Sequence, residues 1–266
     1  MTAAAIGRLG ASARAVDPKM AVAVVALGGQ LVASVALAFR SGGFFVSSWG
    51  IACIALLALT ALAAMTTGGS FCGWMGGVAI SGWAVLAAWQ GLSMLWADDP
   101  SRARDTMGLT LLYAAALTLG VLGLRRTAWL GRLAGGALAV AAVVVGAGVA
   151  ARLRPGFGDD PTAQLSWPTG YWNALGVLAA FGITLAVGFG TAKSIPTIVR
   201  GVALALTPLL ALGLLMTLSR GSFVALSFGI AFLIAFAPGR LETLTGGILA
   251  LAVSTPLLGY ANAQHG

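Results

Sequence analysis

The stretch TLSRGSFVAL, Thr217–Leu226, decides how this chain folds. Eighteen uncharged residues, Gly201 to Leu218, and then Ser219 precede Arg220; Gly221 and eighteen more uncharged residues, Ser222 to Gly239, follow it. As a single helix, residues 201–239 would run about 58 Å at 1.5 Å per residue, nearly twice a bilayer core of about 30 Å. The chain must therefore reverse near Ser219–Gly221, through a connection of only about three residues. Gly221 permits the backbone angles that such a reversal needs. Arg220 is then pinned at the mouth of two packed helices.

Composition sets the solvent. Apolar residues make up 59% of the 266, charged residues 8%, and the mean hydropathy is +0.97. A soluble domain carries about a quarter charged residues, so this chain cannot cover itself with polar surface. The first apolar run follows RAVDPK (residues 14–19) and is succeeded by many more, so it reads as a first span and not as a cleaved leader. The fold class is all-α, a polytopic integral membrane helix bundle. A tail, residues 1–19, precedes a transmembrane domain, 20–266. Nine spans are expected, near 20–39, 49–66, 74–96, 107–124, 133–151, 172–190, 201–218, 222–238 and 243–259, with outer loops 97–106 and 152–171.

Basic residues orient the bundle. With the N-terminus in the cytoplasm, the inner segments hold Arg8, Arg14, Lys19, Arg125, Arg126, Arg132, Lys193, Arg200 and Arg240; the outer ones hold Arg40, Arg102, Arg104, Arg152, Arg154 and Arg220. The split of nine to six makes the net charge of +8 a topology signal and not a nucleic-acid footprint. Cys53 lies in a span and Cys72 in an inner loop, so a disulfide between them is not expected. No C-x-x-C, H-E-x-x-H, phosphate loop or dinucleotide fingerprint occurs, and the one histidine is His265, so neither a metal nor a cofactor site is read here.

Three outer segments carry polar groups that could converge. In SMLWADDPSRARD, residues 93–105, Asp99 before Pro100 is a helix start that carries Arg102 and Arg104 toward the membrane. A well-capped entry beside an interfacial Trp96 explains the segment equally well. In RLRPGFGDDPTAQLSWPTGYWN, residues 152–173, Trp167, Tyr171 and Trp172 suit either an interfacial belt or stacking on sugar rings. Asn173 opens a helix whose neighbours on the same face are Gly176, Val177, Ala180 and Thr184, while Gly182, Ala186 and Gly190 form a small-residue seam. That seam turns Asn173 toward the outer mouth, where it either meets a ligand or makes a cap or interhelical hydrogen bond. Arg220 likewise has two readings, a snorkelling anchor or a functional cation facing the bundle.

The pieces LSMLWADDPSRA, GYWNALGVLAA and TLSRGSFVAL, in this order, resemble the O-antigen ligase and polymerase family of bacterial envelope proteins. The resemblance runs from about residue 80 onward. It implies a metal-independent, inverting glycan transferase of the cytoplasmic (inner) membrane. Such an enzyme takes a glycan from an undecaprenyl diphosphate carrier on the outer face and passes it to a glycan or lipid acceptor, or in some relatives to protein. The arginine of the family's SRG motif maps to Arg220 as the catalytic diphosphate-holding group. Ser219, Asn173, Tyr171, Arg152 and Arg154 would line the substrate site. A guanidinium gives fixed-charge, bidentate contacts to phosphate oxygens, and neutralising a departing diphosphate lowers a barrier.

Two departures accompany the resemblance. Gln164 stands where the family often has a basic residue, so either Arg152 or Arg154 substitutes or this contact is weaker. The family's further spans and its large outer loop with a histidine have no counterpart before GYANAQHG, residues 259–266, and His265 lies too early to be equated with that histidine. The expectation is a truncated member, inactive alone. Rival readings are a transporter or flippase of lipid-linked glycan, or a non-catalytic membrane scaffold. Against the first stand the absence of acids within spans and of a clear internal repeat, with Pro208 and Pro256 as the candidate helix breaks.

Overall fold

A computed structural model describes residues 18–67, 73–123, 127–154 and 164–236, together with Thr245. These residues form eight α-helices: α1 Pro18–Ala38, α2 Val46–Thr67, α3 Gly73–Ser93, α4 Pro100–Gly123, α5 Thr127–Arg152, α6 Trp172–Thr191, α7 Thr197–Met216 and α8 Arg220–Phe236. Seven of them are long and apolar enough to cross a membrane, and α8 is a shorter apolar helix of 17 residues. The chain is built as a multi-pass membrane protein. Apart from Thr245, the expected ninth span, 243–259, lies outside the described residues, as do residues 155–163 of the expected outer loop, including Asp159 and Asp160, and His265.

The helix starts refine the expected spans. Helix α4 begins at Pro100, as the Asp99–Pro100 pair predicts, so of the expected loop 97–106 only residues 97–99 precede the helix. The α5 helix begins at Thr127, ahead of its apolar run, with the Arg132 guanidinium 4.3 Å from the Trp129 ring centroid. The candidate break at Pro208, weighed for the transporter reading, is not seen: α7 runs unbroken from Thr197 to Met216 with the proline inside it.

The chain divides into two compact units: Met1–Gln30 with Cys53–Thr127, and Leu31–Ala52 with Ala128–Gly266. In the first, α3 packs along α4, where Gly76 admits Val121 and Gly91 admits Met107. Helix α4 supplies the buried side, with Leu112, Ala115, Leu119 and Leu122; α3 buries only Ala87. Some polar groups in this unit find carbonyl partners, while the buried Gln90 Oε1 of α3 has none among the described residues. The Gln30 amide donates to the Ala116 carbonyl, and Thr60 donates to the Leu56 carbonyl at 2.7 Å.

The second unit is built around α6, which packs on both α7 and α8. Its buried face, Leu175, Ala179, Ile183, Ala186 and Val187, meets Val144, Val145 and Val149 of α5 and Leu210 and Leu214 of α7. The small-residue seam permits this approach. A β-carbon at Gly182 would lie 2.9 Å from Ala141 Cβ and 3.1 Å from Leu210 Cδ1, and one at Gly190 would overlap Leu204. Lipid tails are as apolar as leucine, so close helix contact in a membrane comes from such packing and from hydrogen bonds between helices.

Candidate functional site

The segment ahead of α6 is tied down on several sides within the second unit. Leu165 is buried and its N–H donates to the Met216 carbonyl at 2.9 Å, satisfying an orphan acceptor at the end of α7. The Trp167 carbonyl lies against Gly148 of α5, where a β-carbon would come within 2.7 Å of it. Thr169 donates to the Ser166 carbonyl at 2.9 Å, and its own carbonyl sits against Gly42, which holds φ at 66°. The Phe39 and Trp167 rings meet edge to face at 5.6 Å. The C-termini of α5 and α7 and the N-termini of α6 and α8 are thus gathered at one end of this unit.

The turn between α7 and α8 consists of Thr217, Leu218 and Ser219, matching the expected three-residue connection. Its mechanism differs from the one expected. Gly221 is already helical; the residue in the left-handed region is Leu218, with φ 51°. The physical reason is the position of the cap. Ser219 serves as N-cap of α8, its Oγ accepting the Ser222 N–H at 3.3 Å, so the backbone has to turn one residue earlier. Leu218 bears that strain while exposing its side chain.

Asn173 and Ser219 meet here. Ser219 Oγ donates to Asn173 Oδ1 at 2.7 Å, and Asn173 Nδ2 donates to Tyr171 Oη at 2.7 Å. Ser222 Oγ donates to Ser219 Oγ at 2.7 Å, with the Asn173 carbonyl oxygen 3.5 Å away. The expectation that Asn173 opens α6 needs correction. The helix begins at Trp172, the cap position is Tyr171, and no side chain caps it. Asn173 makes an interhelical hydrogen bond, its side chain drawn across to Ser219 at the head of α8. Burial makes this tie expensive to break: Ser219 is 3% exposed and Ser222 fully buried.

Gly176 makes the meeting possible. A β-carbon there would fall 2.5 Å from Ser222 Oγ and 2.9 Å from Thr217 Oγ1, so α6 is indented where α8 enters. Ser222 and Thr217 are members of the cluster that the motifs contained without marking. Ser222 lies three residues after Ser219, the position whose N–H an N-cap side chain accepts.

Arg220 is the first residue of α8 and is exposed. Among the described residues it has no ion-pair partner. A helix N-terminus is the positive end of the macrodipole, so a cation there gains nothing from its own helix. At the opposite end of the same unit, Arg200 does the reverse: its Nε donates to the Gly190 carbonyl at 2.9 Å, satisfying the end of α6. Arg152 lies in the last turn of α5 and Arg154 two residues on, exposed; the bonds joining Tyr171, Asn173, Ser219 and Ser222 do not include Arg154. Gln164 is exposed beside the anchored Leu165.

In the first unit, Asp99 Oδ1 accepts from the Ser101 hydroxyl at 2.5 Å and from the N–H groups of Ser101 and Arg102 at 3.1 and 3.2 Å. The Ser101 hydroxyl, then the Arg102 N–H, hold its carboxyl below the usual carboxylate range. The bland reading of this segment is the one realised, a capped helix start, with Arg104 paired to Asp105 at 3.5 Å. No family model, no curated protein and no solved structure matches the chain.

Proposed function

We propose that this chain is a membrane glycan transferase of the O-antigen ligase and polymerase type, with nine spans, a cytoplasmic N-terminus, and a donor site on the outer face of the cytoplasmic membrane. The donor is a glycan on undecaprenyl diphosphate and the acceptor a glycan or lipid hydroxyl. The observation that carries this reading is the hydrogen bond from Ser219 to Asn173. It joins the GYWN and SRG segments, which the resemblance assigns to one substrate site, and it leaves the adjacent Arg220 exposed.

The chemistry follows from that arrangement. The acceptor oxygen bonds to the sugar's anomeric carbon, the bond from that carbon to the diphosphate breaks with its electron pair staying on the diphosphate, and the acceptor proton passes to a base. Charge accumulates on the leaving diphosphate. Arg220 answers it with a planar, permanently charged fork, and the free N–H groups in the first turn of α8 add their dipoles. Metal assistance is not required by this assignment, since the guanidinium carries the compensating charge.

The test places the purified protein in liposomes and supplies a glycan-charged undecaprenyl diphosphate. Retention of the donor supports the donor site; glycan moved to an added acceptor supports the transferase reading and overturns the expectation that this stretch of chain is inactive alone. Retention without transfer but with movement of the carrier across the bilayer overturns it in favour of a flippase, and no retention overturns it in favour of a scaffold.

A further inference from the structure

We infer that the Tyr171 hydroxyl is a ligand-binding donor, aimed outward by a hydrogen-bond chain that begins in the α8 backbone, and that it selects an oxygen-rich anion at the site. The inference rests on the proposed donor site and gives Tyr171, already expected to line it, a role and a direction.

The argument follows the protons. The Ser222 N–H can only donate, and it is shared between the Ser219 carbonyl oxygen at 3.1 Å and Ser219 Oγ at 3.3 Å. The Ser222 hydroxyl donates to the same oxygen. A serine oxygen has two lone pairs and one proton, so Ser219 has used its acceptors and its proton goes to Asn173 Oδ1. That contact fixes which way the Asn173 amide faces: with Oδ1 toward Ser219, the Nδ2 group is toward Tyr171 Oη, 2.7 Å away. An amide nitrogen accepts nothing, so Tyr171 Oη is the acceptor in this bond and its own proton is directed away from the chain. Bonds in such a series polarise one another in one direction, which strengthens the final donor.

The placement suits that role. Tyr171 is half exposed, at the head of α6, and its ring is tilted against Trp172 with centroids 5.3 Å apart, so the hydroxyl is carried on a stiff support. Among the described residues nothing accepts its proton. A partner offering lone pairs completes the series, whereas a partner offering a proton does not. Together with the positive charge of Arg220, this selects a phosphate or diphosphate oxygen.

The test measures binding of farnesyl diphosphate to the purified protein in lipid nanodiscs, for the unsubstituted chain and for Tyr171→Phe, Asn173→Asp and Arg220→Ala. Tyr171→Phe keeps the ring and removes one proton donor, so affinity should fall by about tenfold, the size of a hydrogen bond to a charged group. Asn173→Asp keeps the shape but offers no N–H, so the Tyr171 proton turns inward to the new carboxylate; it should lose affinity at least as much. If Tyr171→Phe binds as the unsubstituted chain does while Arg220→Ala is weakened, this inference is overturned and the donor site stands. If the unsubstituted chain itself does not bind, the donor site is overturned and the inference with it.

Discussion

The start of α4 and the start of α8 solve the same problem with opposite charges. Each leaves N–H groups without partners inside the helix. At α4 an anion does the capping, with the Asp99 carboxylate taking the N–H groups of Ser101 and Arg102 at the positive end of the dipole. At α8 a neutral hydroxyl, Ser219, does the capping, and the adjacent residue is a cation. The first start is electrostatically complete. The second has an excess of positive character and no anion among the described residues to meet it. A helix end that is self-sufficient explains itself; one that concentrates a guanidinium and a positive dipole leaves charge that the proposed diphosphate would meet.

The largest expected effect comes from closing the indentation that lets α8 approach. Gly176→Ala places a methyl against Ser222 and Thr217, both fully buried, so the Asn173–Ser219 tie has to separate. The variant should lose about 1–3 kcal/mol of stability by overpacking, together with diphosphate binding. Thermal unfolding in detergent and a binding assay read both; an unchanged protein would mean that α8 docks without this cluster.

A smaller change of opposite sign is expected at the turn. Leu218 holds a left-handed backbone, which costs an L-residue roughly 1–2 kcal/mol and glycine little. Leu218→Gly should raise stability by up to about 1 kcal/mol, after the larger entropy of the unfolded chain is subtracted, and leave diphosphate binding intact. A loss of stability would show that the exposed leucine matters more than the backbone angle.

The smallest effect belongs to α4. The Asp99 carboxyl titrates below its unfolded value, so its contribution is present above the unfolded carboxylate range and is lost as pH falls through the lower folded value. Hydrogen exchange at Ser101 and Arg102, taken relative to the intrinsic rate at each pH, should quicken only below about pH 4, the reference range for an aspartate. Asp99→Ala should quicken it at neutral pH and leave diphosphate binding unchanged. A fall in binding would mean that the start of α4 also serves the ligand.

Much of the helical frame was legible because apolar runs of bilayer length admit few other structures, and the α4 start was legible because Asp-Pro acts locally. Starts such as Thr127 and Thr197 were less so. At those depths a helix can carry Arg132 or Arg200 against an aromatic ring or a carbonyl, and hydropathy no longer marks its end. The site was legible by residue type and not by pairing. Asn173 and Ser219 were each singled out, yet their bond spans 46 residues and depends on the notch at Gly176, which is a property of two helices together. The left-handed angle fell on Leu218 and not on Gly221 because the Ser219 cap fixed where α8 begins, a choice that no single residue type announces.

The central claim is that Arg220 is held ready for a diphosphate while Arg200 serves the fold. Its most direct test compares the affinity of the protein for undecaprenyl diphosphate in Arg220→Ala, Arg220→Lys and Arg200→Ala at equal levels of folded protein. The account predicts a fall of about tenfold to a hundredfold for Arg220→Ala, the worth of a charge-assisted contact, with only partial recovery in Arg220→Lys, which keeps the charge but not the fork. It predicts no change in affinity for Arg200→Ala, whose guanidinium is already engaged by Gly190. Equal affinity in Arg220→Ala and the unsubstituted protein would contradict the claim and leave Arg220 as an anchor at the membrane surface.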